Sequence, residues 1–253
     1  LHLEEFAFGQ SVWHRMDPRV KILGLVFFAF VTAVSNSFAA LLLALSASLF
    51  ALVSAKLSGR QVLIRLGAVN AFILFLWVFL PFSTPGEVIA RWGSLAVQRE
   101  GVILSLAITM KANAIASATL VLLGTSGIFD LVHALAHLKV PQRLVWLFFF
   151  SYRYVTVIHG EYSRLRTGMR VRCFRLRVGS NGLRSMANLV GMLFVRSCDR
   201  SERIYQAMLL RGFSGTFWVL DHFHMHRSDW LAAGAMAALI LAMIGLQFPW
   251  GSA

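Results

Sequence analysis

Leu144-Val145-Trp146-Leu147-Phe148-Phe149-Phe150-Ser151-Tyr152-Arg153-Tyr154-Val155-Thr156-Val157-Ile158 is the stretch on which the topology of this chain turns. It is apolar enough to begin a membrane crossing, but Arg153 lies inside it and the most basic part of the chain follows. From Glu161 to Gly215 there are eleven of the twenty arginines, no lysine, and only three acids, Glu161, Asp199 and Glu202. A crossing at 144–158 would put all eleven arginines outside, against the retention of Lys and Arg on the cytoplasmic side. The stretch therefore reads as the membrane-flush start of a long helix that continues into a cytoplasmic arm.

Within the arm one phrase occurs twice: Gly168-Met169-Arg170-Val171-Arg172-Cys173-Phe174 and Ala207-Met208-Leu209-Leu210-Arg211-Gly212-Phe213. Small-Met-x-x-Arg-small-Phe, repeated thirty-nine residues apart, predicts two equivalent docking points. Gly179-Ser180-Asn181-Gly182 divides the arm into two helices, each ending in one copy. In the second helix Met186, Ala187, Val190, Leu193, Phe194, Ile204 and Met208 follow a helical stripe, and Asp199–Arg203 has the spacing of a supporting pair.

Working outward, five apolar runs read as membrane spans at 21–35, 38–55, 66–82, 102–124 and 229–248. The first two are short, and require tilt or a locally thin bilayer. Asp17-Pro18 is a helix start, and Arg15, Arg19 and Lys21 hold that end in the cytoplasm. Ser35-Asn36-Ser37 is a tight turn, Pro81 stops the third span, and 83–101 is an outside loop. Ser126 is the expected cap, and Asp130 the first-turn acid, of a short surface helix ending at Pro141. Trp230 and Trp250 bracket the last span. Five spans put the N-terminus inside and the C-terminus outside. The expected organisation is 1–124 membrane helices, 125–228 coupling helices at the membrane surface and in the cytoplasm, and 229–253 a final membrane helix. The fold class is all-α: a polytopic helical membrane protein, with about five transmembrane helices and a cytoplasmic arm of long coupling helices.

Composition agrees. With 253 residues, 58% of them apolar, and a net charge of +13, the chain is too apolar for a soluble globule. Its charge marks cytoplasmic loops rather than nucleic-acid binding, for which no module or interleaved aromatic surface is present. Cys173 and Cys198 both fall in the arginine-rich arm, which speaks against a disulfide framework. Residues 1–16 lack the basic start and apolar core of a cleavable signal. Because the sequence opens at Leu1, an initiator or short leader is expected before it.

Other candidate chemistry is thinner. Lys111 and Asn113 interrupt the fourth span; with no carboxylate there to pair it, Lys111 reads as packed between helices or snorkelling rather than lining an ion path. Alternate histidines His222, His224 and His226, with Asp221, have metal-ligating chemistry, but a polar loop at the inner surface is the reading taken. His133 and His137 have i,i+4 ligand spacing without a nearby third ligand. Arg164, Arg166, Arg170, Arg175 and Arg177 read as lipid-phosphate contacts. No phosphate loop, His-Glu-x-x-His, Cys-x-x-Cys or Gly-x-Ser-x-Gly pattern occurs, so hydrolysis has to come from partners. The competing enzymatic reading, an integral-membrane enzyme holding a phosphorylated lipid through its arginines, requires acidic metal ligands that the arm is poor in.

Several of these motifs resemble one family. Ser11-x-x-His14-Arg15-Met16-Asp17-Pro18-Arg19-x-Lys21 resembles the N-terminal signature of the transmembrane T component of energy-coupling factor transporters, especially the cobalt type, CbiQ. Thr125-Ser126-x-x-x-Asp130-Leu131-x-x-Ala134-Leu135-x-x-Leu138-x-x-Pro141 is similar to its surface-helix pattern. Val171-Arg172-Cys173 and Leu210-Arg211-Gly212 resemble its paired Ala-Arg-Gly signatures, with the alanine lost in both and Cys173 in place of glycine in the first. The resemblance implies a non-catalytic subunit in the bacterial inner membrane that bridges two ATP-binding subunits and a substrate-binding membrane subunit. ATP would be bound by the partners and not by this chain. Arg172 and Arg211 would each enter a groove on one ATPase, and the cargo implied is cobalt first and nickel second.

Overall fold

The computed structural model describes residues 9, 11–85, 87–92, 95–138, 140–172, 179–215 and 227–247. Their order is α1 (Val12–Arg15), α2 (Pro18–Val34), α3 (Phe38–Ser54), α4 (Gly59–Ser83), β1 (Val88–Trp92), β2 (Leu95–Gln98), α5 (Arg99–Leu122), α6 (Ile128–His137), α7 (Gln142–Val171), α8 (Ser180–Leu210) and α9 (Arg227–Gln247). Two compact units divide the chain, one over Lys139–His222 and the other made of His2–Leu138 and Phe223–Ala253. The protein is a polytopic helical membrane protein, and α7 runs unbroken through 144–158 into the arginine-rich stretch.

In the larger unit α5 is the central helix, flanked by α2, α3 and α4; α9 lies on α2 and α3, and α6 on α2. Large apolar side chains point outward: Phe27, Phe30, Phe50, Phe72, Leu74 and Phe75 are all more than half exposed. The interior is built instead from small residues, with Ala40, Ala44, Ala114, Ser105 and Ser117 fully buried, and Phe28 and Met243 filling the space between them. This inverted distribution is that of helices packed in lipid, where small residues allow backbones to approach and nothing is gained by hiding leucine from acyl chains. Several hydroxyls within the bundle return to their own helix: Thr32 donates to Phe28 O at 2.7 Å, Ser105 to Gly101 O at 2.8 Å and Thr119 to Ile115 O at 2.8 Å. Asn70 on α4 and Asn113 on α5 exchange amide hydrogen bonds at 3.0 and 2.9 Å.

α4, α5 and α9 are long and apolar enough to cross a membrane. α2 and α3, at 17 residues each, rise only about 25 Å, against about 36 Å for α5. That difference accounts for Lys111. Its ammonium donates to Ala33 O at 2.9 Å and lies 3.5 Å from Asn36 Oδ1, while Gln247 at the end of α9 donates to Val34 O at 3.4 Å. The middle of α5 thus lies level with the ends of α2 and α9. Lys111 meets a helix C-terminus, where a cation is favoured.

Four boundaries depart from expectation. α4 begins at Gly59, not 66, and continues past Pro81 to Ser83, because a proline this close to the end removes only one internal bond. The connection between α4 and α5 contains an antiparallel hairpin, β1 with β2, closed by an Arg99–Glu87 ion pair at 3.5 Å and the Glu87 N–H to Glu100 at 2.9 Å. α6 ends at His137, and Pro141 instead precedes α7 as its N-cap. The cap of α6 is Gly127, not Ser126, since the Ser126 hydroxyl is taken by Lys21 of α2 at 2.6 Å.

Ala114→Leu, which adds three carbons where no surface is exposed, is expected to cost about 1–3 kcal/mol. Phe72→Leu on the outer face should stay within about 0.5 kcal/mol of wild type. Unfolding midpoints in detergent micelles compare the two.

Candidate functional site

The two arginine phrases are the ends of two helices. α7 closes at Val171 with Arg172 as its C-cap (φ −82°, ψ 21°), and α8 closes at Leu210 with Arg211 as its C-cap (φ −90°, ψ 11°). Both caps have nearly the same backbone geometry. At the second tip the Phe213 N–H reaches Met208 O at 3.1 Å and the Gly212 N–H reaches Leu209 O at 2.9 Å, while Gly212 adopts φ +80°. These paired bonds form a Schellman cap, which needs a residue tolerant of the left-handed region. Phe213 then lies edge-on to Trp146 of α7, with ring centroids 5.8 Å apart. At the first tip the Arg172 N–H turns back to Gly168 O at 3.4 Å; Cys173, Phe174, Arg175 and Arg177 lie outside the described residues.

Each arginine follows an exposed aliphatic residue: Val171 is 78% exposed and Leu210 is 90% exposed. Arg172 and Arg211 are themselves exposed. A solvent-facing guanidinium beside a bare hydrophobic knob, on a rigid helix end, combines directed hydrogen bonding with apolar contact area.

α7 and α8 run in opposite chain directions. Trp146 meets Phe213 near one end, Glu161 meets Arg196 and Arg200 in the middle, and Arg172 borders a groove with Ser185 towards the other end. The two tips therefore lie at opposite ends of the pair. The 26 residues from Ser185 to Arg211 correspond to roughly 40 Å of helix.

The middle contact is the one the sequence reading missed. Glu161 is a buried carboxylate ion-paired with Arg196 and reached by Arg164 at 3.6 Å and Arg200 at 3.8 Å. The signal was present as a lone acid at the head of the arginine-rich stretch. The hydrogen bond from Arg196, with the positive charges of Arg196, Arg164 and Arg200, outweighs burial and holds the Glu161 carboxyl below its ordinary range. On either side the helices stand apart. A cavity of about 350 Å³ lies among Phe150, Tyr154, Ile158, Ile204, Tyr205 and Met208, and a more polar groove of about 670 Å³ lies among Arg164, Gly168, Arg172, Ser185, Asn188 and Arg196.

One reading of α8 needs correction, and its apolar stripe divides. The expected Asp199–Arg203 side-chain pair is replaced by a bond from Arg203 Nε to the Asp199 backbone carbonyl at 3.2 Å. The apolar stripe does not all face α7: Val190 and Phe194 are 61% and 69% exposed, with Leu183 exposed beside them. Leu189 is the buried residue. The α7-facing side is polar around Arg196 and Arg200, which reach Glu161, and apolar at Ile204 and Met208.

His222, His224 and His226 lie outside the described residues, as does Asp221. His133 and His137 bring their Nε2 atoms within 3.0 Å; among the described residues no cluster of three or more metal-ligating side chains forms. Cys198 is exposed with a free thiol.

The family model described as cobalt transport protein, CbiQ, matches residues 9–220. Among curated proteins, the chain is similar to the energy-coupling factor transporter transmembrane protein EcfT of Brevibacillus brevis, 26% identical over 83% of this chain and 84% of that one. It is also similar to the EcfT proteins of Lacticaseibacillus paracasei, 26% identical over 94% and 96%, and Exiguobacterium sibiricum, 25% identical over 94% of each.

Two outcomes follow from this geometry. Gly212→Ala is expected to cost about 1–2 kcal/mol by forcing a Cβ into the left-handed region, read as fraying of the α8 end in amide exchange. The Glu161 contribution should be complete at neutral pH, above the carboxyl's unfolded pKa of about 4.3. It should be lost only as pH falls through the lower folded value. Spin labels at Thr167 and Val195 should therefore report an unchanged separation from pH 7 to about pH 5, and a wider one in Glu161→Gln throughout.

Proposed function

We infer the function of this chain from its family: it belongs to the CbiQ family of cobalt transport proteins. It is the energy-coupling transmembrane component of an energy-coupling factor transporter, a multi-pass membrane subunit and not an enzyme. Beyond that, our reading is that it links two cytoplasmic ATP-binding subunits to a substrate-binding membrane subunit for uptake of cobalt, or of nickel. It works in the bacterial inner membrane, with α2, α3, α4, α5 and α9 crossing and the coupling unit in the cytosol. The partners bind ATP and carry out its hydrolysis.

One observation carries the reading: the repeated arginines cap two helices of about thirty residues with the same geometry, at opposite ends of one helix pair. Two equivalent grips set roughly 40 Å apart along a helix suit two copies of one partner better than a single ligand. Val171 and Leu210 would fill the mouth of each partner groove, and Arg172 and Arg211 its acidic or carbonyl-rich floor; Gly212 leaves room for close backbone approach at the second tip. When the ATPases close around ATP, the tips are driven relative to each other. Because α7 and α8 are held at Glu161 and at the Trp146–Phe213 contact and leave cavities on both sides of Glu161, such a displacement becomes a change in their crossing. The exposed stripe of Leu183, Val190 and Phe194 supplies an apolar surface suited to the substrate-binding membrane subunit.

The lipid-enzyme alternative gains nothing from the arm. Its buried acid is already engaged by three arginines, and the other two acids of the stretch, Asp199 and Glu202, are exposed on α8.

Arg172→Ala and Arg211→Ala should each weaken retention of the ATP-binding subunits by about 2 kcal/mol, roughly 30-fold. The double variant should lose them while keeping wild-type stability in micelles. Co-purification and ATP-driven cobalt uptake are the measurements; full retention and uptake in the double variant would overturn the reading.

A further inference from the structure

We propose that Lys21, with Asp17, forms a polar knot that fastens both chain connections of the coupling unit to the start of α2, and that Lys21 is a positioning residue for energy coupling. The proposal rests on the transporter reading above and names where a movement of the arm enters the membrane bundle.

Among the described residues Lys21 is the largest fully buried side chain, with none of its surface exposed. Its ammonium donates to Ser126 Oγ at 2.6 Å and Thr125 Oγ1 at 3.3 Å, and lies 3.5 Å from Thr125 O. The Thr125 hydroxyl passes its own proton to Val121 O at 2.6 Å, so the contact is continuous with the last turn of α5. Four residues before Lys21, Asp17 accepts the Arg19 N–H at 2.8 Å as the cap of α2, and its backbone N–H donates to Asp229 Oδ1 at 3.2 Å. Asp17 and Asp229 are both buried, and the carboxylates of Asp130, Asp17 and Asp229 surround the ammonium with compensating charge.

The placement of these partners in the chain gives the contact its meaning. Thr125 and Ser126 begin the turn into α6, the last helix before the chain passes into the unit Lys139–His222. Asp229 is in the first turn of α9, the first helix after the chain returns. The outgoing and returning connections are thus tied to one helix end, the outgoing one by Lys21 and the returning one by Asp17. Two separate sequence motifs, the N-terminal Asp-Pro-Arg-x-Lys and the Thr-Ser before α6, are one site in space.

A buried ammonium with no solvent to turn to holds its partners more firmly than a surface contact does. α2 in turn packs on α3, α5, α6 and α9. Displacement of either connection is therefore passed to α2 and spread through the bundle. Without the knot, the coupling unit would still bind and move with its ATPases, while the membrane helices would follow it poorly.

The test uses the assembled transporter in proteoliposomes, measuring ATP hydrolysis and cobalt uptake on the same preparation. Lys21→Met keeps an unbranched side chain of similar length without the charge, and Ser126→Ala removes the shortest hydrogen bond. In Lys21→Met, retention of the ATP-binding subunits and hydrolysis should stay near wild type while uptake per ATP falls roughly 2- to 30-fold. Ser126→Ala should give a smaller fall in the same ratio, and the double variant no more than Lys21→Met alone, since the two groups act as a unit. A structural defect would lower hydrolysis and uptake together, in proportion to the complex recovered. That result, or an unchanged ratio in both single variants, would overturn the proposal. If Lys21→Met does not assemble, the ratio in Ser126→Ala decides. A wild-type chain that retains no ATP-binding subunits would remove the transporter reading and this inference with it, whereas an unchanged ratio removes only this inference.

Discussion

Inside a lipid bilayer a polar group finds a partner within the protein or goes without, and this constraint organises the larger unit. Threonine and serine hydroxyls return to carbonyls of their own helices, Asn70 and Asn113 satisfy each other, and Lys111 reaches the carbonyl end of α2. Lys21 is the extreme case, a fully buried ammonium held by the hydroxyls of Thr125 and Ser126. Where the partner is on a different element, as for Asn70 with Asn113, Lys111 with Ala33 and Lys21 with Ser126, satisfying the group also fixes which helices are neighbours. The apolar residues impose no such order. Most of the large phenylalanines face outward, and the interior is built mainly from alanine and serine, with Phe28, Leu41 and Met243 among them.

The coupling unit obeys the opposite economy. Its α7–α8 contact is polar in the middle and open on both sides, with Glu161 drawing in arginines from both helices. A helix pair held at a charged contact in the middle and an edge-on ring contact at one end, with cavities between and beyond them, resists separation there more than it resists a change of angle. That is a useful property in a part that has to convert closure of two partners into a movement of the membrane helices.

The two halves of the proposed mechanism meet in a difference between tips and root. The tips, Arg172 and Arg211, are exposed helix caps with bare aliphatic neighbours, suited to a partner that is not this chain. The root, Lys21 with Asp17, is buried, and its hydrogen bonds are made within the chain. Exposed guanidinium grips and a buried ammonium anchor divide the work as their chemistry dictates: arginine for directed surface contact, and a compact lysine where space is small.

Much of this was legible in the linear chain. Charge asymmetry assigned 144–158 to the start of a long helix, Asp17-Pro18 marked the start of α2, Ser35-Asn36-Ser37 marked the turn, and the repeated phrase located both helix ends. Each of these is a local signal, carried by neighbours in sequence or by the period of a helix. What the chain alone did not disclose was every pairing made across a long separation. Ser126 has the residue type of a helix cap, and only the arrival of Lys21 from more than a hundred residues away diverts it. Val190 and Phe194 have the period of a buried stripe, and only the claim of Glu161 on Arg196 and Arg200 turns α8 so that they face outward. Sequence determined which segments are helices, which are apolar and where they stop. Tertiary structure decided which polar group each buried charge would meet, because a charge withdrawn from water takes the partner that the fold brings within reach, whatever its distance along the chain.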